Sequence, residues 1–237
     1  MAQLLLLIIV LLSALFAVHL INQREEKVRQ QRLHQRSYRW RADQLEEVLV
    51  GLEAVMSDRS VALCVNREIL HLLEQMLALE QGDKTPLETR LRYVREREEG
   101  LREHPDQPRA SRLRESDAEM ARAKGHMEHA AKVLRRQHQE GRLDETLSLS
   151  DLLQSLSWQA LMVEVITYIV EGHKALRRGD ITTSQAYYKK AQGLLISSDH
   201  PDPRRMAMIR ELGEVILGKR AALSEELMPE DAYNPGV

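Results

Sequence analysis

Two histidines have a spacing that suits a shared metal ion. His126 and His129 are three residues apart, so on a helix their imidazoles lie on one face, and Glu128 lies between them in sequence. Zn²⁺ takes four ligands in structural sites, but the sequence offers no evident third ligand. Gly125 also weakens the local helix. We therefore expect no metal and no cofactor, and a helical metalloprotein or enzyme built on this pair is the weakest alternative.

The single cysteine, Cys64, lies between two apolar residues in an apolar stretch. One cysteine excludes an internal disulfide and any metal site with several thiolate ligands. No base partner can be named that would activate Cys64 as a nucleophile, so we interpret it as a buried structural thiol. The chain also lacks the motifs GxGxxG, GxxxxGK[ST], HExxH, GxSxG and CxxC. These features predict a protein that is not an enzyme.

The composition is typical of an all-α protein. Of the 237 residues, 43% are hydrophobic and 30% are charged, but only 4% are aromatic and seven are proline. High charge, few aromatic residues and long stretches without proline favour amphipathic helices. A β-sandwich or barrel would need turn residues at short intervals. We predict a single N-terminal transmembrane helix followed by a bundle of helical hairpins.

The predicted membrane segment is residues 4–21, which read LLLLIIVLLSALFAVHLI and carry no charged side chain. Eighteen residues at about 1.5 Å each span about 27 Å, enough for the hydrocarbon core of a bilayer. No basic residue precedes the segment, and its nearest cleavage candidate, Leu15-Phe16-Ala17, has the large Leu15 where a small residue is needed, which favours an anchor over a signal peptide. The residues expected to form the anchor are Leu4, Leu7, Val10, Leu12, Phe16 and Leu20.

The residues that follow this segment are strongly basic. Residues 22–42 hold seven Lys and Arg against two Glu, a net charge of +5, which leaves −7 for residues 43–237. Basic residues beside a membrane helix hold that flank in the cytoplasm. We therefore expect a bacterial inner (plasma) membrane protein with its N-terminus outside and its body in the cytoplasm. The membrane-proximal basic residues are Arg24, Lys27, Arg29, Arg32, Arg36, Arg39 and Arg41.

Helix start and stop signals divide the rest of the chain. Ser116 and Ser148 begin capping patterns, and Gly82, Gly141 and Gly179 are expected to end helices or turn the chain. Two prolines within residues 104–112 predict a linker there. The predicted units are the anchor (1–21), a basic stalk (22–43), a helical hairpin region (44–103), the linker (104–112), a helical bundle (113–226) and a tail (227–237).

Residues 165–198 place small and large side chains in the order expected of a tight helical hairpin. Gly172, Ser184 and Ala191 are small, Tyr168 and Tyr188 are large, and Gly179-Asp180 forms the turn. This stretch resembles a single tetratricopeptide (TPR) repeat, which cannot bury its own faces and needs flanking helices. The resemblance implies partner-binding positions facing a groove, and the alternative is that the three apolar ones are core. These positions are Ile166, Ile169, His173, Leu176 and Arg177.

We predict a membrane-anchored helical adaptor or scaffold that recruits partner proteins at the membrane surface without catalysis. The expected partners are the membrane and one or more proteins, whereas the acidic body argues against nucleic acid. One alternative is a periplasmic adaptor, exported or facing outward. Another is a self-assembling, homo-oligomeric structural protein in which the stalk and a stripe of small and apolar side chains form intermolecular coiled coils. The stripe consists of Met120, Ala123, Met127, Ala130 and Leu134.

Overall fold

The computed structural model describes residues 2–103, 112–114, 116–220 and 222–228, and within them the regular structure is seven α-helices without a strand. The all-α fold class is therefore confirmed for this part of the chain. The helices are α1 (Ala2–Glu53), α2 (Ser60–Leu79), α3 (Thr85–Glu103), α4 (Asp117–Gln139), α5 (Leu149–Arg177), α6 (Ile181–Ser197) and α7 (Arg204–Ile216).

A first hydrophobic core contains side chains of α1, α2, α3 and α4 and of the first half of α5. Helix α2 is central to it, since α1, α3 and α4 all pack against α2. Leu45, Leu49 and Leu52 recur every three or four residues along α1 and are fully buried, as an amphipathic helix requires. The α2 face is formed by residues such as Ile69 and Leu72. The second half of α1 is thus a structural part of the body.

Helix α4 completes this first core. The stripe from Met120 to Leu134, which was considered for self-association, is buried in the chain's own core, against α1 and α2. The core therefore includes residues from both 42–101 and 120–163. Residues 104–111 of the predicted linker lie outside the described residues, but the helices on its two sides share one core.

A second hydrophobic core is built from α5, α6, α7 and the segment after α7. Neighbouring residues of α5 divide between the cores, because Val163 belongs to the first and Met162 to the second. Among the residues whose side chains the structure describes, which leave out nearly all of 1–21, α5 is the one helix long and apolar enough to cross a membrane, and half of its most apolar window is buried in the protein. Its burial explains its apolar character as that of a core helix. The membrane helix predicted at residues 4–21 stays a prediction.

Local capping signals explain several helix ends. The hydroxyl of Ser116 accepts a hydrogen bond from the Glu119 N–H at 3.2 Å, and Ser148 caps α5 in the same way, as predicted. Gly141 and Gly179 follow α4 and α5 with φ of 65° and 79°, a conformation that favours glycine. The left-handed cap predicted at Gly82 is wrong. Helix α2 ends at Leu79, and the Glu80 carboxylate accepts the Gly82 N–H at 2.8 Å.

Candidate functional site

Helix α1 connects the predicted anchor to the body without a break. It runs from Ala2 to Glu53, about 78 Å at 1.5 Å per residue. The side chains of the six predicted anchor residues, and those of Arg24 and Lys27, lie outside the described part of the structure, which gives their helical backbone. The other membrane-proximal basic residues follow along α1, and Arg29, Arg32, Arg36 and Arg39 are exposed. The helical backbone is therefore continuous from the predicted anchor to the body.

The second half of the predicted stalk lies against the body. Gln35 donates a hydrogen bond to Glu80 at 3.2 Å, and Gln81, two residues after α2, donates one to Gln31 at 3.1 Å. Arg90 of α3 pairs with Asp43 at 2.6 Å. A groove of about 570 Å³ opens here, and we name it the stalk groove. It is lined by Arg32, Gln35, Arg36, Arg39, Met76, Glu80, Asp83, Pro86, Leu87 and Arg90.

A buried carboxylate organises the body beside α1. The side chain of Glu68 in α2 is 1% exposed, and three guanidinium groups surround it. Arg41 of α1 lies 3.5 Å from its Oε1, Arg142 donates to its Oε2 at 2.8 Å, and Arg136 of α4 contacts its Oε1. Gln137 hydrogen-bonds the carbonyl oxygen of Cys64 at 2.9 Å. One carboxylate thus links α1, α2, α4 and the loop after α4.

The site around Glu68 was not predicted from the sequence. A signal was present, because the helical neighbours of Glu68 three or four residues away include Cys64, Val65 and Leu72, which are apolar. A carboxylate on the apolar face of a helix must be paired when it is buried. The Arg residues that pair with it come from positions 41, 136 and 142, and no sequence spacing connects these.

A second groove, with a positively charged lining, lies between α1 and α4 beside Glu68. We name it the cationic groove; its volume is about 310 Å³, and none of its lining residues is acidic. Trp40 at this groove is 61% exposed. The groove is lined by Trp40, Arg41, Gln44 and Leu45 of α1 and by His129, Lys132, Val133 and Arg136 of α4.

The positive charges of this groove act on one another. Burial lowers the pKa of Arg41, and the charge of Arg136 lowers it further. Burial also lowers the pKa of His129, with the charges of Lys132 and Arg136 adding to the effect. His129 is therefore a neutral hydrogen-bonding group at pH 7, while Arg41, Lys132 and Arg136 carry the charge.

The two histidines considered for metal binding line different grooves. His126 belongs to a third groove, of about 670 Å³, together with Glu46, Glu47 and Gly51 of α1. Its Nε2 lies 3.9 Å from Oε1 of Glu47, whereas His129 faces the cationic groove. Among the residues described, no group of three His, Cys, Asp or Glu side chains is arranged to hold a metal ion.

Cys64 is a free and buried thiol, as the sequence indicated. Burial raises its pKa to about 11. A thiol with this pKa is protonated at pH 7 and is a poor nucleophile. Cys64 therefore has a structural role in the first core.

The five predicted partner-binding residues have different environments on α5. Ile166 and Ile169 are fully buried in the second core, so their side chains offer no surface to a partner. The half-buried His173 ring meets the Tyr188 ring edge-on, with centroids 5.7 Å apart. Leu176, which is 49% exposed, and Arg177 are accessible.

The α5–α6 hairpin is closely packed at its predicted small residue. A Cβ atom at Gly172 would lie 2.5 Å from Cε1 of Tyr188, so only glycine fits this contact. The TPR likeness itself stays a prediction. Comparison of the chain with protein-family models, curated proteins and solved structures gives no match.

Proposed function

We propose that this chain is a single-pass, membrane-anchored helical adaptor that presents an all-α body to partner proteins at the membrane surface, without catalysis. The observation that carries the proposal is the continuity of α1. Its first part has the apolar sequence of a membrane anchor, and its last part, residues 42–52, supplies buried side chains to the first core. A tether of this kind raises the local concentration of the body for partners on the same membrane.

The proposed orientation places the N-terminus outside and the body in the cytoplasm. It rests on the seven basic residues between Arg24 and Arg41, which favour the cytoplasmic side of a membrane. A body on the outer side, or a cleaved chain, would instead support the periplasmic alternative.

Self-association through α4 has less support as a function. The stripe that would form an intermolecular coiled coil is already buried against α1 and α2. A substitution such as Met127→Glu would bury a charge in the first core, so it would unfold the body before it reported on assembly. Recruitment of other proteins does not require α4 to leave the core, because accessible surface remains on the stalk groove and at the end of α5.

Paired reporters fused after residue 237 test the orientation. One reporter is active only in the cytoplasm and the other only outside, and the mass of the purified fusion shows whether the N-terminus is intact. We expect a cytoplasmic signal and an uncleaved chain. A control variant with Arg24, Lys27 and Arg29 replaced by Gln removes three of the basic residues that favour the cytoplasmic side. It keeps the residues that form ion pairs within the body. An external signal, or cleavage near residue 17, would contradict the proposal.

A further inference from the structure

The cationic groove holds more positive charge than its surroundings neutralise. Arg41, Lys132 and Arg136 line it, and Glu68 beneath it is the carboxylate that Arg41 and Arg136 share. Arg142 also uses Glu68 and pairs with Glu140. Four cations and two carboxylates leave a local charge of +2. This charge exists in a partly buried site, where water screens it less than at an open surface.

Hydrogen-bond donors at the groove remain unused. Arg136 directs Nη2 to Glu68, and its Nε makes no hydrogen bond within the described part of the chain but is buried, so the donors left for a ligand are on the outer nitrogens of the guanidinium group. Arg41 lies 3.5 Å from Glu68, a distance of ionic contact beyond the usual range of a hydrogen bond. A guanidinium has five N–H donors, so both arginines can serve a further acceptor while they contact Glu68.

We infer that the cationic groove is a binding site for a phosphate-type dianion, held by Arg41, Lys132 and Arg136 with Trp40 beside it. A dianion matches the local charge of +2, and its several oxygen atoms match donors that come from two helices. Planar guanidinium groups and a mobile ammonium group are the side chains that proteins use for phosphoryl oxygens. A volume of about 310 Å³ accommodates such a group with a small organic part.

A soluble phosphorylated molecule is the source that the geometry favours over a lipid headgroup. Arg41 follows Ile21 by twenty residues, which is about 30 Å along a helix. The Debye length in physiological salt is about 8 Å. With α1 along the bilayer normal, the headgroups of the chain's own membrane therefore lie beyond electrostatic reach of the groove. This step rests on the proposed anchor, whereas binding of a soluble phosphate does not.

Calorimetry on the full chain tests the site. The chain is placed in nanodiscs of zwitterionic phosphatidylcholine and titrated with inorganic phosphate and with pyrophosphate. We expect saturable binding with one site per chain, weakened at least fivefold by Lys132→Gln and by high salt. Arg92→Gln, which removes an exposed charge on α3 outside the lining of the groove, is the matched control and should leave the affinity unchanged. Circular dichroism of both variants verifies the fold.

Trp40 fluorescence separates the two sources of phosphate. The chain has two tryptophans, so Trp158→Phe leaves Trp40 as the reporter. A response to soluble phosphate or pyrophosphate that Lys132→Gln reduces supports the site with a soluble ligand. A response in nanodiscs that contain phosphatidic acid, whose phosphomonoester headgroup can carry two negative charges, without added phosphate and reduced by the same substitution, supports the site with a headgroup as ligand. No heat and no fluorescence response in either arm, or equal loss with Arg92→Gln, would overturn the inference.

Discussion

Gly51 of α1 and His126 of α4 are in direct contact where their helices cross. A Cβ atom on residue 51 would lie 1.9 Å from Nδ1 of the His126 ring, closer than any two such atoms can approach. The contact holds α4 against the buried half of α1 and directs His126 into the third groove, away from the groove that His129 lines.

Gly51→Ala is expected to destabilise the protein through this contact. The His126 ring must move, and overpacking of this kind costs about 1–3 kcal/mol in the free energy of unfolding. Gly125→Ala is the control, because Gly125 is an exposed helical residue with nothing within 4 Å of its added Cβ, so that variant gains up to about 1 kcal/mol. Urea unfolding followed by circular dichroism measures both. Equal effects of the two substitutions would contradict the contact.

Glu68→Gln is expected to cost more than removal of an exposed carboxylate. The substitution leaves three guanidinium groups without their shared partner, which costs about 2–4 kcal/mol, since the arginines retain partial access to water. Glu74→Gln removes the exposed pair with Arg95 and should change stability by less than about 1 kcal/mol. The comparison uses urea midpoints of the two variants. A Glu68 variant as stable as the Glu74 variant would show that the network adds no stability.

Burial of His173 predicts a loss of stability in mild acid. Burial lowers the pKa of His173, and the charge of Arg177 lowers it further. The unfolded chain, where this pKa is about 6.5, therefore binds more protons than the folded chain as the pH falls below that value. Stability is fully present above pH 6.5 and decreases as the pH falls from there towards the lower folded pKa.

His173→Gln should reduce the slope of stability against pH between 5 and 7, as thermal or urea unfolding measures it. His138→Gln, at an exposed position of α4, is the comparison and should alter that slope less. If both substitutions change the slope equally, His173 is not the group that causes the acid sensitivity.

A charge in the predicted anchor should release the protein from membranes. Leu12→Arg places a cation at the centre of residues 4–21, which opposes insertion by about 3 kcal/mol. Leu33→Arg places the same charge at a leucine of α1 that is 58% exposed, outside the predicted segment, and is the matched control. Membrane fractionation with quantitative immunoblotting measures both. If the Leu12 variant remains as membrane-bound as the control, residues 4–21 are not the anchor.

The features that sequence reasoning predicted are those set by near neighbours in the chain. Ser116, Ser148, Gly141 and Gly179 act on backbone groups a few residues away, so their patterns gave the helix ends. Gly82 failed because Glu80, two residues earlier, offers a competing acceptor to its N–H group.

The candidate site could not be predicted in the same way, since its parts meet only after folding. The cationic groove combines residues near 40 with residues near 130, and the partners of Glu68 are arginines from three other segments. On α5, Ile169 is buried and Leu176 is exposed, although both are large aliphatic residues seven positions apart. The difference comes from where α4 and α6 cover α5, which periodicity within one helix does not specify.

The unbroken backbone of α1 also defines a rotational setting between the anchor and the body. Each helical residue turns the chain by about 100° and advances it by about 1.5 Å. On the proposed anchoring, one residue inserted after Asn22 would swing the cationic groove about 100° around the axis of α1. Seven inserted residues would return it to within about 20° of its original direction, about 10 Å further from the bilayer. The direction in which the body faces its neighbours on the membrane would therefore vary periodically with stalk length.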